Sequence, residues 1–333
     1  MTCQTFLRPI IAASLLLTVA APSPARAADT TKVVMQLDWI FNAQFAGLYQ
    51  AIEQGYFAEE GLDVELRESV PDQNTVGAVL DADIAFGCAE SNVLLLDRAD
   101  GADIVALGAM FQRSPLVWMY LPPTQYTGTP SLKGKRVGVN PDGKRVMKRI
   151  LKGADVSLEE VEIMDVGYDK MQPLLDGKVD FIQGYYIDEF VRLQMQTGGQ
   201  AQSFLAEDYG YSAYSQVVFA SAAQTQAHPD LYPRFERALA RGWLYALIHQ
   251  QETVDLILKK YNPDLDPVYQ QRSLARIADL VTPAGHAPMQ PMQRKVWADN
   301  VAFFMSEGIL KEPVDLDAML PTTAPVAVSS TAP

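Results

Sequence analysis

The chain runs to 333 residues, 48% hydrophobic and 20% charged, with a formal charge of −13. That composition excludes collagen-like, low-complexity and wholly disordered chains. Its 40 acidic residues against 27 basic ones leave no basic field of the kind nucleic-acid binding needs. The two cysteines, Cys3 and Cys88, build neither a disulfide framework nor a CxxC zinc site.

Residues 1–27 read as a secretory signal. Arg8 lies in a sparse positive region, 10–21 is an apolar run, and Ala25-Arg26-Ala27 gives an A-x-A site before Ala28. The run is too short to span about 30 Å of hydrocarbon as a helix. No cysteine follows it to carry a lipid. Cleavage at Ala27-Ala28 predicts a periplasmic protein, more acidic by the loss of Arg8 and Arg26. Cys88 then remains as a lone thiol, expected to be a small buried apolar residue. No later stretch has eighteen apolar residues in a row, so a soluble mature chain is expected. Residues 320–333 read as a frayed tail.

A strand is expected at 32–39, followed by a helical face of Phe45, Leu48, Tyr49 and Ile52 that stops at Gly55. Strands at 61–66, 83–88 and 103–111 then alternate with helices near 73–80 and at 91–99. Such alternation implies a parallel sheet covered on both faces. The pattern restarts at Pro130. Strands are expected at 135–140, 161–166, 179–183 and 202–205, with helices at 143–152, 168–176 and 187–197. Two extended runs, 116–121 and 214–221, read as crossovers between lobes. Helices at 229–249, 251–260, 268–281 and 290–307 should pack back on the first lobe. The fold class is therefore α/β, two-lobed. One lobe comprises 28–121 plus 215–319, the other 122–214, with a ligand cleft between them.

Several signatures are missing: GxxxxGK[ST], GxGxxG, GxSxG and HExxH do not occur. His228, His249 and His286 share no ligand spacing, so neither a zinc site nor a resident cofactor is expected. The segment from Lys133 to Lys152 is strongly basic, with Asp142 its one acid. It reads as a solvated helix face. The alternative puts Lys144 or Arg145 beside the free N–H groups of a first helical turn, where an anion is favoured. Asp142 in Pro141-Asp142-Gly143 would oppose that by capping the same groups.

The stretch QLDWIFNAQFAGLYQAIEQGYFAEEGLDVEL, residues 36–66, resembles the opening of periplasmic solute-binding proteins for thiamine pyrimidine precursors. That family also holds pyrimidine synthases and, more distantly, nitrate, sulfonate and taurine binders. A second match runs from Gly177-Lys178-Val179-Asp180 to Gly184-Tyr185-Tyr186-Ile187-Asp188-Glu189, similar to the family's G-x-V-D strand and ligand segment. The resemblance implies a type II periplasmic-binding-protein fold and a monomeric receptor of an ABC importer, with permease and ATPase subunits as partners. It implies that Trp39 and Tyr185 sandwich a flat heteroaromatic ring, that Asn42 hydrogen-bonds ring substituents, and that Glu189 accepts from an amine or ring N–H. Tyr186 falls in the same ligand segment.

Stacking plus a few polar groups suits a cleft built at strand ends. Phe45 either packs helix on sheet or lines the cleft. Glu90, Ser91 and Asn92 open a helix and either grip a polar end of the ligand or, for Ser91, serve as a plain N-cap. The synthases carry a cysteine-rich iron motif and a histidine shortly after the asparagine. Here that place reads Ala43-Gln44-Phe45, so no enzyme is expected, and the solute is expected to be pyrimidine-precursor-like or flavin-like. A sulfonate, taurine or nitrate binder is the rival within the class, and a pyrimidine synthase the rival outside it.

Overall fold

The computed structural model describes Met1 and residues 30–70, 73–166 and 171–320, with the backbone alone for Pro141 and Asp142. The expected signal segment lies outside the described residues, as do the tail beyond Leu320 and the start of the 168–176 helix.

Ten strands form two five-stranded sheets: β1 (Thr31–Gln36), β2 (Leu62–Arg67), β3 (Ala85–Ala89), β4 (Ile104–Phe111), β5 (Leu116–Tyr120), β6 (Arg136–Val139), β7 (Glu162–Asp165), β8 (Phe181–Tyr185), β9 (Gln202–Leu205) and β10 (Ser215–Ser221). The first sheet has the order β2-β1-β3-β10-β4 and the second β7-β6-β8-β5-β9. β1 and β6 each run parallel to both neighbours, whereas β10 and β5 each run antiparallel to both of theirs. Each sheet is thus mixed, not wholly parallel as the alternation alone implies. β3 and β4 are buried along their whole length, as strands covered by helices on both faces must be.

The lobe boundary needs one correction. The sequence pattern closes the first lobe at residue 121, but β5 hydrogen-bonds to β8 and β9 and belongs to the second sheet. The chain crosses at 112–115 instead. An all-apolar run such as LVWMY fits either sheet equally well, and only its non-local pairing decides. The return crossing precedes Ser215, since β10 pairs with β3 and β4.

The C-terminal helices do pack on the first lobe. Leu231–Ile248 crosses the Ala46–Glu53 helix so closely that a Cβ on Gly242 would lie 2.1 Å from the Gly47 carbonyl oxygen. Gly242→Ala should therefore lower the unfolding free energy by about 2 kcal/mol, overpacking outweighing alanine's better helix propensity. Urea denaturation with an unchanged slope would show it. These helices also touch the second lobe. The Ser273 hydroxyl donates to the Ile187 carbonyl at 2.6 Å, and Arg276 donates to Gln194 at 2.5 Å.

The basic segment is only partly a solvated face. Lys148 pairs with Glu307, while Arg149 lies 5.0 Å from the Phe303 ring and 3.3 Å from Asn300 Oδ1. Arg136 pairs with Asp180 and Lys133 with Glu160. Its helix, Pro141–Lys152, starts before the expected Gly143. Asn140 caps it by accepting from the Gly143 N–H at 2.9 Å, which is the asparagine-then-proline start that fixed proline φ favours. Cys88 is free and fully buried, as expected. No helix among the described residues is long and apolar enough to cross a membrane.

Candidate ligand-binding cleft

A cavity of about 360 Å³ lies between the lobes. From the first lobe it is walled by Asp38, Trp39, Glu90, Asn92 and Gln216, and from the second by Asn140, Arg145, Gln183, Tyr185 and Tyr211. Asp38 and Trp39 follow β1, Glu90 follows β3, Asn140 follows β6 and Tyr185 ends β8. Strand carboxyl ends in an open α/β sheet have no helix over them, so the crevice there is free to hold a ligand. A second opening of about 400 Å³ shares Asp38, Glu90 and Val93 and reaches 73–76 and Asp97.

Two carboxyl groups dominate the electrostatics. Glu90 Oε1 accepts from the Ser215 hydroxyl and, across the cleft, from the Tyr185 hydroxyl at 3.4 Å. Burial pushes the Glu90 carboxyl up to about 8, and the neighbouring Asp38 charge adds to this. Burial likewise raises Asp38 to about 6, against the opposing hydrogen bond from Gln216. The Gln216 amide nitrogen sits 3.0 Å from both Asp38 oxygens. Near neutral pH burial therefore favours the protonated acid at Glu90 and leaves Asp38 as the carboxylate of this pair. The Tyr185 phenol is held well above its ordinary value, first by the Glu90 charge and then by burial. A second link between the lobes runs from the Asn92 amide to the Tyr211 hydroxyl.

Of the nine residues expected from sequence, Trp39, Glu90, Asn92, Tyr185 and Glu189 line the cavity. Trp39 is 51% exposed, so it is no core tryptophan. Glu189 also holds its neighbour in place, accepting from the Tyr185 N–H at 2.8 Å. The other four lie elsewhere. Asn42 is buried, and its oxygen accepts from the Gln44 N–H at 2.8 Å, capping the Ala43–Phe45 turn. Phe45 is fully buried in the first lobe's core. Phe45→Leu should cost about 1–2 kcal/mol of stability and leave ligand affinity unchanged, as thermal unfolding and titration would show.

Ser91 is not among the residues lining the cavity, and it is not the cap of its helix. The N-cap position is Glu90, and the buried Ser91 hydroxyl accepts from the Tyr214 N–H at 3.2 Å. Tyr186 is half-buried, stacked on Phe190 at 5.7 Å with the Arg276 guanidinium 5.1 Å from its ring. Sequence reasoning missed Asp38, Gln183, Tyr211 and Gln216. Asp38 carried a signal, a carboxylate ending a buried strand inside the matched motif. Gln216 carried a weaker one, a polar residue opening the apolar strand SQVVFAS.

Residues 42–253 match a family model described as NMT1/THI5 like. A formylaminopyrimidine-binding protein of Halalkalibacterium halodurans is 26% identical over 300 residues, covering 88% of this chain and 89% of its own. The riboflavin-binding protein RibY of Chloroflexus aurantiacus is 25% identical over 315 residues, covering 89% and 87%. Among solved structures, the periplasmic aliphatic sulphonate binding protein SsuA from Escherichia coli aligns with a TM-score of 0.69 at 12% identity. That alignment covers 90% of this chain and 94% of the other. Likeness at such low identity shows the fold alone, and the fold is the two-lobed one of periplasmic binding proteins. With the family model matched over residues 42–253, more than half of the chain, the chain belongs to the NMT1/THI5-like family.

Proposed function

We propose that this protein is the substrate-binding component of an ABC importer. It is exported to the periplasm, closes as a monomer over a small heteroaromatic solute, and hands that solute unchanged to permease and ATPase subunits. One observation carries the reading: the cleft pairs aromatic side chains from opposite lobes, Trp39 and Tyr185, with the carboxyl groups of Asp38, Glu90 and Glu189. Aromatic faces favour a flat ring, and carboxyl oxygens favour ligand N–H and O–H donors. A sulfonate or nitrate would meet those carboxyl groups with one arginine, Arg145, among the described lining residues. An anion brought beside the Asp38 carboxylate in a desolvated cleft is unfavourable. The pyrimidine- and flavin-binding relatives agree with this chemistry.

A synthase reading is disfavoured by the residues after Asn42. Phe45 occupies the region where the resemblance would place a histidine, and it is sealed in the core. Mass spectrometry of small molecules released from the purified protein tests the proposal. A heteroaromatic compound recovered at its original mass after long incubation is expected. Recovery of a sulfonate, or of a converted product, would overturn it.

A further inference from the structure

Gln216 is built into its strand at a conformational cost. Its φ is 51°, in the left-handed region that residues other than glycine seldom adopt, and it is only 3% exposed. Such backbone persists only where the surroundings fix it, and it concentrates at functional sites. Here it delivers the side chain to the cavity wall, with the amide nitrogen 3.0 Å from both oxygens of Asp38. A carboxylate only accepts, so the NH₂ end must face Asp38 and the carbonyl end must face away. That carbonyl oxygen is buried and has no hydrogen-bond partner. Nearly all buried polar atoms in folded proteins are paired, so an orphan beside a ligand cavity calls for a partner from the ligand. Asn92 repeats the pattern on the same wall: its nitrogen donates to Tyr211, and its oxygen is buried and unpartnered.

Resting on the cleft reading above, we propose that Gln216 is a specificity residue whose carbonyl accepts an N–H from the edge of the ligand ring. Asp38 is its positioning residue, preventing the amide from turning its donor end to the ligand. The ligand class is thereby narrowed to rings that carry a free N–H on that edge, a lactam N–H or an amino group. Rings alkylated there are rejected.

Calorimetric titration of wild type, Gln216→Leu and Asp38→Asn with two pairs of probes tests this. The pairs are riboflavin with 3-methylriboflavin, and 4-amino-5-hydroxymethyl-2-methylpyrimidine with its 4-dimethylamino derivative. For the pair whose parent binds, methylation should weaken binding to wild type. Gln216→Leu should lose about tenfold on the parent, and methylation should cost that variant about tenfold less than it costs wild type. In Asp38→Asn the amide is free to turn, so discrimination between parent and methylated probe should shrink, which keeps the test valid if Gln216→Leu does not fold. Thermal unfolding of each variant reports folding separately. If a parent ring binds wild type and methylation costs the same in every folded variant, the Gln216 assignment fails and the cleft reading stands. If neither parent binds wild type, the cleft reading fails and takes this assignment with it.

Discussion

Replacing Trp39 with alanine should lower affinity for a flat heteroaromatic solute by about ten- to a hundredfold, while the unfolding midpoint of the empty protein stays near that of wild type. Stacking of a base-like ring on an aromatic side chain is worth about 1–3 kcal/mol by alanine substitution, and each 1.4 kcal/mol is about a decade. The stability half of the expectation follows from burial. Trp39 is half exposed at the cleft, whereas Trp118, Trp243 and Trp297 are all fully buried. For the same reason a ligand-induced change in tryptophan fluorescence should come from Trp39 and vanish in the variant. Calorimetric titration, thermal unfolding and fluorescence together separate the outcomes. An unchanged affinity would mean that this ring does not touch the ligand.

A second large effect is expected in the pH dependence of stability. Burial holds the Glu90 carboxyl at about 8, against an ordinary value of 4.5. Between those values the folded protein binds more protons than the unfolded chain, so its stability falls as pH rises through the window. Below about 4.5 the group is protonated in both states and the penalty is absent. Asp38 acts with the same sign between 3.8 and about 6. Glu90→Gln removes the ionisation, so it should stabilise the empty protein at pH 8 by at least about 1.4 kcal/mol, the worth of one pKa unit. At pH 4 it should have no such benefit. Thermal unfolding of both proteins from pH 4 to pH 9 measures this, and parallel curves would mean that Glu90 is not held protonated.

Much of the fold is legible in local pattern. The Ser91–Ala99 helix and the Gln202–Leu205 strand match the bounds that periodicity implies, because polar and turn residues punctuate both ends. The lobe to which Leu116–Tyr120 belongs is not legible, since it depends on pairing with β8 and β9, remote in sequence. The site divides in the same way. The resemblance points to Trp39, Tyr185 and Glu189, and all three line the cavity.

Asn42 and Phe45 stand close to Trp39 in the same motif, yet one tight turn directs them differently. Asn42 spends its oxygen on the cap, and Phe45 points into the core. Direction within a single turn is a geometric fact with no signature in residue type. Gln216 was only weakly signalled, for a related reason. Its path to Asp38 comes with a positive φ, and a glutamine at that position in a strand carries no sign of it.

The most direct measurement is a calorimetric titration of the purified protein near neutral pH with riboflavin, 4-amino-5-hydroxymethyl-2-methylpyrimidine and ethanesulfonate. A donor-bearing ring held between Trp39 and Tyr185 predicts saturable binding of at least one ring compound at one per chain, weakened in Trp39→Ala, and no heat from the sulfonate. Saturable binding of ethanesulfonate with none from either ring would contradict it.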